Sequence, residues 1–232
     1  MPDSLFSLPA PVSIPVHGQT ATYPVGRIFC VGRNYAAHAA EMGHDVDREA
    51  PFYFTKSAAN AVLTGATVPY PPGTENFHHE MELAVAIGKP VFRATSDQAW
   101  GAVYAYGCAL DMTRRDLQIR ERNKQRPWDL GKDLENGAVF APLVQASDWA
   151  ATDDKRIHLS VNGALRQDAK LDELIWKIDE IISHLSGYYH LRPGDLILTG
   201  TPAGVGPVQA GDVIEGGIDG LQPIKLTLGD AE

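Results

Sequence analysis

Residues Glu80 to Ile87 read Glu-Met-Glu-Leu-Ala-Val-Ala-Ile, an alternation that fits a β-strand with one wholly apolar face. Met81, Leu83, Val85 and Ile87 fall on that face, and Glu80, Glu82, Ala84 and Ala86 on the other. Residues two apart on a strand point the same way, so the two carboxylates stand together. Burying two like charges side by side is costly unless a cation neutralises them. An exposed sheet face carrying two acids satisfies the same spacing, but the small Ala84 and Ala86 argue for a covered one. Asp111 closes the second strong strand signal, Val103 to Leu110, and adds a third carboxylate near the strand ends. Three carboxylates without a thiolate partner select a hard cation: Mg²⁺, Mn²⁺ or, as a further option, Ca²⁺.

Around this strand the chain alternates short strands with turns. Strand signals occur at Arg27–Val31, Phe52–Phe54, Ala61–Leu63, Leu196–Leu198, Val213–Ile214 and Ile224–Leu228. An Ala-rich stretch from Asn34 to Met42 predicts a short helix, with Asn34 available as its N-cap and Gly43 as its stop. Polar residues from Gly43 to Pro51 then predict a mobile surface loop. Thr113 to Lys124 predicts a polar helix. Leu171, Leu174, Ile175, Ile178, Ile182 and Leu185 lie on a helical ladder that ends at Gly187. The expected fold is a β-rich α+β domain over residues 25–232, preceded by a Pro-rich arm at 1–24.

Composition narrows the functions. With 232 residues and 44% apolar side chains, the chain builds one sizeable core. Its net charge of −9 disfavours phosphate backbones and argues against a nucleic-acid partner. No apolar run reaches the roughly 18 residues of a membrane span. The first sixteen residues hold Asp3, Pro2, Pro9 and Pro11 in place of a secretory signal. Two widely separated cysteines, Cys30 and Cys108, suit buried thiols in a reducing cytoplasm.

Other residues join the carboxylates. His38 and Glu41 share a face of the short helix, and a carboxylate beside a histidine orients it and raises its basicity, as a general base requires. Helix and loop together, at about 34–50, form a candidate lid. Arg115 and Gln118 share a face of the polar helix and suit a carboxylate-and-carbonyl ligand, while most of the neighbouring basic residues face solvent. His78 and His79 lack the spacing of a helical zinc motif and are expected to support the metal-binding residues from outside or to be structural, in preference to binding metal themselves. Lys132 and Lys56 each read by themselves first as snorkelling surface lysines. Thr199–Gly206 lacks the ending of a phosphate loop; it is a cradle for a small carboxylate or a plain turn.

Taken in order, Val31-Gly32-Arg33-Asn34-Tyr35, His38-Ala39-Ala40-Glu41, Phe54-Thr55-Lys56, His79-Glu80-Met81-Glu82-Leu83, Leu110-Asp111-Met112-Thr113, Arg115-Asp116-Leu117-Gln118 and Thr199-Gly200-Thr201-Pro202-Ala203-Gly204-Val205-Gly206 resemble the fumarylacetoacetate hydrolase family across about residues 25–228. The resemblance implies a mixed β-sandwich roll and a homodimer, with Mg²⁺ or Mn²⁺ on Glu80, Glu82 and Asp111. It implies a catalytic His38–Glu41 dyad and Lys132, with Arg115, Gln118, Thr201 and Lys56 around the substrate. The implied reaction is hydrolysis of a carbon–carbon bond in a 2,4-dioxo acid, such as fumarylpyruvate in gentisate breakdown. Acylpyruvate cleavage, oxaloacetate decarboxylation and dienedioate isomerisation are the alternatives on the same site; a non-catalytic metal-stabilised domain is another. Family members often carry proline after the first lysine and an aromatic residue and aspartate after the second. Here Ser57 follows Lys56, and Asp133-Leu134-Glu135-Asn136 follows Lys132.

Overall fold

The computed structural model describes residues 5, 10–41, 48, 50–151 and 154–231. Most of the tip of the expected lid (42–47 and 49) and most of the start of the arm (1–4 and 6–9) lie outside the described residues. The frame is a mixed eight-stranded sheet packed on a five-stranded one. Across the larger sheet run Phe52–Lys56, Arg27–Gly32, Asp195–Leu198, Met81–Ile87, Val103–Asp111, Ala138–Phe140 and Ala61–Leu63, with Val144–Gln145 also on Val103–Asp111. Asp195–Leu198 lies parallel to Arg27–Gly32, whereas Met81–Ile87 and Val103–Asp111 pair antiparallel. The result is β-rich, as the strand signals predict, and forms the mixed roll that the family resemblance implies.

Met81–Ile87 is buried on both faces. Met81, Leu83, Val85 and Ile87 enter the main core with Ile157, Leu159, Ile214 and Leu226 of the five-stranded sheet. Ala84 and Ala86 enter a second core, where Ala105, Ala109, Leu196 and Leu198 meet Ile14 and Tyr23 from the N-terminal segment. Glu82 therefore lies on a covered face, as the alanines beside it indicate. Among the described residues, no helix is long and apolar enough to cross a membrane.

The ladder from Leu171 to Leu185 does not form one helix. Leu171–Glu173 makes a single 3₁₀ turn, and the α-helix spans only Ile178–Ser186. Between them the chain is held by Asn34. The Ile175 and Trp176 amides donate to the Asn34 carbonyl and Oδ1 at 2.8 and 2.7 Å, and Asn34 Nδ2 donates to the Trp176 carbonyl at 3.0 Å. These tertiary bonds replace an i to i−4 ladder there. The same bonds, with one from Nδ2 to the Thr199 carbonyl, divert the Asn34 side chain from the capping role its position suggests. The short helix that follows spans Ala36–Glu41. The polar helix runs Arg115–Asn123, after a two-residue strand at Thr113–Arg114. A helix at Ser96–Ala102, closed by a Thr95–Gln98 capping box, adds to the expected elements.

Candidate active site

Antiparallel pairing of the two central strands brings the carboxylates together. The Asp111 amide donates to the Glu80 carbonyl at 2.9 Å, and Glu82 stands opposite Ala109. One oxygen each from Glu80, Glu82 and Asp111 lies within 4.8 Å of the others, and all three residues are buried. Alternation on Val103–Asp111 places Asp111 on the face of Ala109 and Ala105, the face that Glu82 shares with Ala84.

Three cations surround the trio. Lys132 Nζ donates to Glu80 Oε2 and Asp111 Oδ2, each at 2.7 Å, and to Thr113 Oγ1 at 2.8 Å. Arg115 pairs with Glu80 Oε1 and also donates to Gln118 Oε1. Lys56 Nζ stands 2.9 Å from Asp111 Oδ1 and donates to the Met112 carbonyl at 3.1 Å and to the Lys132 carbonyl. Burial alone would raise the Glu80 pKa, but the Lys132 and Arg115 charges outweigh it and hold that carboxyl well below the usual range. Burial pulls the Lys132 ammonium down, and Asp111 and Glu80 more than restore it. Glu82 carries the residual conflict: burial first, then Asp111 and Glu80, push its pKa well up.

That conflict tests the fit of a metal. Asp111 Oδ1 is buried and accepts no directed hydrogen bond, since Lys56 pairs with it by distance but off the bonding angle. Among the described residues, Glu82 accepts from the Gly200 amide at 2.7 Å. An all-oxygen set with an unsatisfied buried oxygen and mutual repulsion fits Mg²⁺ or Mn²⁺.

His38, Glu80, Glu82, Arg115, Gln118, Lys132 and Thr201 line one cavity. His38 Nδ1 lies 3.2 Å from Glu41 Oε2, and Glu41 in turn accepts the Gly204 amide at 3.2 and 3.3 Å. The Gly-rich segment is thus a cradle with two fixed points. Gly200 has φ +100°, and a Cβ there would stand 2.7 Å from Asn34 Cβ; Gly204 has φ +94°, and a Cβ would stand 2.0 Å from the Arg166 carbonyl oxygen.

The structure brings the expected site residues together around the carboxylate trio, with Lys56 approaching from behind it. The Lys56 side chain is buried behind Asp111 and away from the lining of this cavity, with its donors committed to protein oxygens. It braces the carboxylates from behind. Beside it, Asp133 accepts from the Ser57 amide (2.7 Å), Ser57 Oγ (2.6 Å) and Asn60 Nδ2 (2.6 Å), which ties the two lysine-bearing segments together. His78 and His79 are structural, as expected. His78 accepts from Arg115 Nε at 3.4 Å, and burial followed by the Arg115 charge lowers its pKa to about 4.

Gln167 was not expected at the site. It is fully buried in the strand Ala164–Lys170. The Met81 amide donates to Gln167 Oε1 at 3.0 Å, which fixes the orientation of the side-chain amide, and Nε2 donates to Thr201 Oγ1 at 2.8 Å and the Pro202 carbonyl at 2.9 Å. Thr201 Oγ1 therefore accepts from the protein and keeps its own proton for the cavity. Val31, Gly32, Arg33, Phe54, Arg122 and Trp128 complete the lining. Their meeting in one cavity follows from the closure of segments distant in sequence.

The model of the fumarylacetoacetate hydrolase C-terminal family matches residues 27–228. The chain is 54% identical over 193 residues to a fumarylpyruvate hydrolase of Ralstonia sp., covering 82% of this chain and 100% of that one. It is 40% identical to a mitochondrial oxaloacetate tautomerase of Oryza sativa subsp. japonica, over 86% of this chain and 89% of the relative. The crystal structure of fumarylpyruvate hydrolase from Pseudomonas aeruginosa in complex with Mn²⁺ and pyruvate superposes with TM-score 0.94 at 46% identity, covering 98% of this chain and 100% of that one. Matched over nearly its whole length in sequence and in fold, the chain belongs to the fumarylacetoacetate hydrolase family.

Proposed function

We propose that this chain is a divalent-metal-dependent hydrolase that cleaves fumarylpyruvate and water to fumarate and pyruvate. The observation that carries this reading is the convergence, in one cavity, of a buried carboxylate trio with a histidine already oriented by a carboxylate. It is supported by the fumarylpyruvate hydrolase of Ralstonia sp. and by the Mn²⁺ and pyruvate of the Pseudomonas aeruginosa complex.

Glu80, Glu82 and Asp111 would hold Mg²⁺ or Mn²⁺, which when bound supplies Lewis-acid polarisation of the substrate's carboxylate and 2-oxo oxygens. His38 does the proton chemistry. Its Nδ1–H donates to Glu41, which leaves Nε2 as the base that takes a proton from water, and the hydroxide attacks the carbonyl distal to the pyruvoyl end. The adduct collapses by breaking the carbon–carbon bond, with the electron pair leaving on pyruvate enolate, which a proton then converts to pyruvate. The Thr201 hydroxyl donates to a substrate oxygen, and Arg115 and Gln118 orient the carboxylate beside it. Lys132 has its three N–H groups committed to Glu80, Asp111 and Thr113, so it offers a positive charge beside the developing enolate while it fixes the two carboxylates.

The same reading places the enzyme as a cytoplasmic homodimer in aromatic (gentisate) catabolism. Two buried free thiols support a reducing compartment. A second reading, enol–keto conversion or decarboxylation of oxaloacetate on the same site, draws on the oxaloacetate tautomerase relative. The test follows the absorbance of fumarylpyruvate, acetylpyruvate and oxaloacetate with purified protein, each with Mg²⁺, Mn²⁺ or chelator. Metal-dependent loss fastest with fumarylpyruvate is expected. Loss confined to oxaloacetate favours the second reading, and no loss with any of the three defeats both.

A further inference from the structure

Two arginines stand apart from the machinery above, in the half-buried part of the same cavity. Arg33 and Arg122 both line it, together with Phe54 and Trp128. Arg122 belongs to the helix Arg115–Asn123, where Arg115, Gln118 and Arg122 are spaced i, i+3, i+7 and share one face. Arg115 and Gln118 are buried beside Glu80, while Arg122 is only partly buried. Seven residues of helix separate the two guanidinium-bearing positions by about 10 Å.

Arg33 enters the lining from the turn that follows the strand Arg27–Gly32. Its backbone is left-handed, φ 55°, an uncommon conformation for a large side chain. Its guanidinium carbon sits 5.4 Å from the centre of the Phe52 ring, which meets Trp128 edge-on at 5.3 Å. The side chain is thereby seated on an aromatic surface. Burial, then the nearby Arg122 charge, lowers the Arg33 pKa. Two guanidiniums lining one half-buried space give it a positive potential, and both can donate charge-assisted hydrogen bonds to an anion there.

We propose that Arg33 and Arg122 form a second anion-binding subsite, which receives the far carboxylate of a dicarboxylic 2,4-dioxo acid and sets preference for it over monocarboxylic acylpyruvates. The inference rests on the hydrolase reading and extends it to substrate choice. A seven-carbon dioxo diacid spans about 8 Å between its carboxyl carbons at standard bond lengths, on the scale of the about 10 Å of helix between Arg115 and Arg122. Phe54 and Trp128 then flank the flat, conjugated middle of the molecule, and Arg115, Gln118 and Thr201 hold the pyruvoyl end.

The test compares kcat/KM for fumarylpyruvate and acetylpyruvate, which share the reacting end and differ at the far one. Arg33→Gln and Arg122→Gln are each expected to lower the fumarylpyruvate-to-acetylpyruvate ratio about tenfold or more, chiefly through KM for fumarylpyruvate, as expected for loss of a charge-assisted hydrogen bond. Lys124→Gln, which removes the same charge outside the cavity lining, is expected to leave the ratio in place. A ratio unchanged in both arginine variants, or equal losses on both substrates, overturns the subsite. If the unmodified protein turns over neither substrate with Mn²⁺, the hydrolase reading fails, and calorimetric binding of fumarate against crotonate decides the subsite alone. Preference for fumarate that both substitutions erase upholds it, and absence of that preference, or its survival in both variants, overturns it.

Discussion

His38 and Glu41, three residues apart on a six-residue helix, meet Nδ1 to Oε2 at 3.2 Å, and the Gly204 amide anchors the carboxylate from the far side. The helix alone would let this pair rotate with its fraying ends. The amide of a loop more than 160 residues away fixes the direction in which the imidazole presents Nε2. His38→Ala is expected to lower kcat on fumarylpyruvate by about 10²–10⁴-fold, with Mn²⁺ affinity by calorimetry unchanged. Unchanged turnover would remove His38 from water activation.

Glu82 bears the repulsion of the trio, so its loss should show in metal linkage more than in folding. Excess Mn²⁺ is expected to stabilise the unmodified protein by about 2.7 kcal/mol at a hundred times its Kd. Glu82→Gln should shrink the thermal shift between Mn²⁺ and chelator while leaving a folded protein in chelator. An equal shift in both proteins would place the cation elsewhere.

Gln167 controls which way the Thr201 hydroxyl points. Gln167→Glu keeps an acceptor for the Met81 amide but takes the Thr201 proton for itself, so KM for fumarylpyruvate should rise about tenfold. Thr201→Val should cost as much, and the double variant no more than either single one, because both changes remove the same donor. Additive losses would show that Gln167 acts by another route.

Lys132 neutralises two buried carboxylates. In metal-free protein, Lys132→Met leaves Glu80 with Arg115 alone and Asp111 with Lys56 alone. Urea unfolding in chelator is expected to report a loss of about 3–5 kcal/mol, the usual cost of stranding a buried charge. A neutral result would mean that the remaining cations suffice.

Both thiols stay protonated in the fold. Burial pushes the Cys108 thiol up to about 12 and that of Cys30 well above its ordinary value of 9.0. Between pH 9 and 12 the unfolded chain releases these protons and the folded chain keeps them, so stability should fall as pH rises, by about 1.4 kcal/mol per pH unit for each thiol. Ellman's reagent should leave both unmodified in native protein and react with both in urea. Cys108→Ala should flatten the alkaline slope measured by urea unfolding.

What could be read along the chain was whatever local spacing decides. Residues two apart on a strand share a face whatever the strand pairs with, so Glu80 and Glu82 could be joined before any neighbour was known. The same holds for His38 with Glu41, and for Arg115 with Gln118, at helical spacing. The small alanines beside Glu82 announced that its face was covered.

Tertiary structure decided the rest, because the partners are far apart in sequence and meet only through pairing and packing. Register between the central strands set Asp111 beside Glu80. Hydrogen bonds from Asn34 outcompeted helix propagation at Ile175 and Trp176, so an apolar ladder of good helical period broke in two. Lys56 turned its charge behind the carboxylates because three protein oxygens there satisfy it. Gln167 and Arg122 carry no local motif, and Arg33 lies in one that says nothing of the cavity it lines; each gained its place from a strand, turn or helix positioned by the whole core. Spacing alone determined which groups travel together; the closure of distant segments determined what they face, since burial and mutual charge compensation exist only once those segments have met.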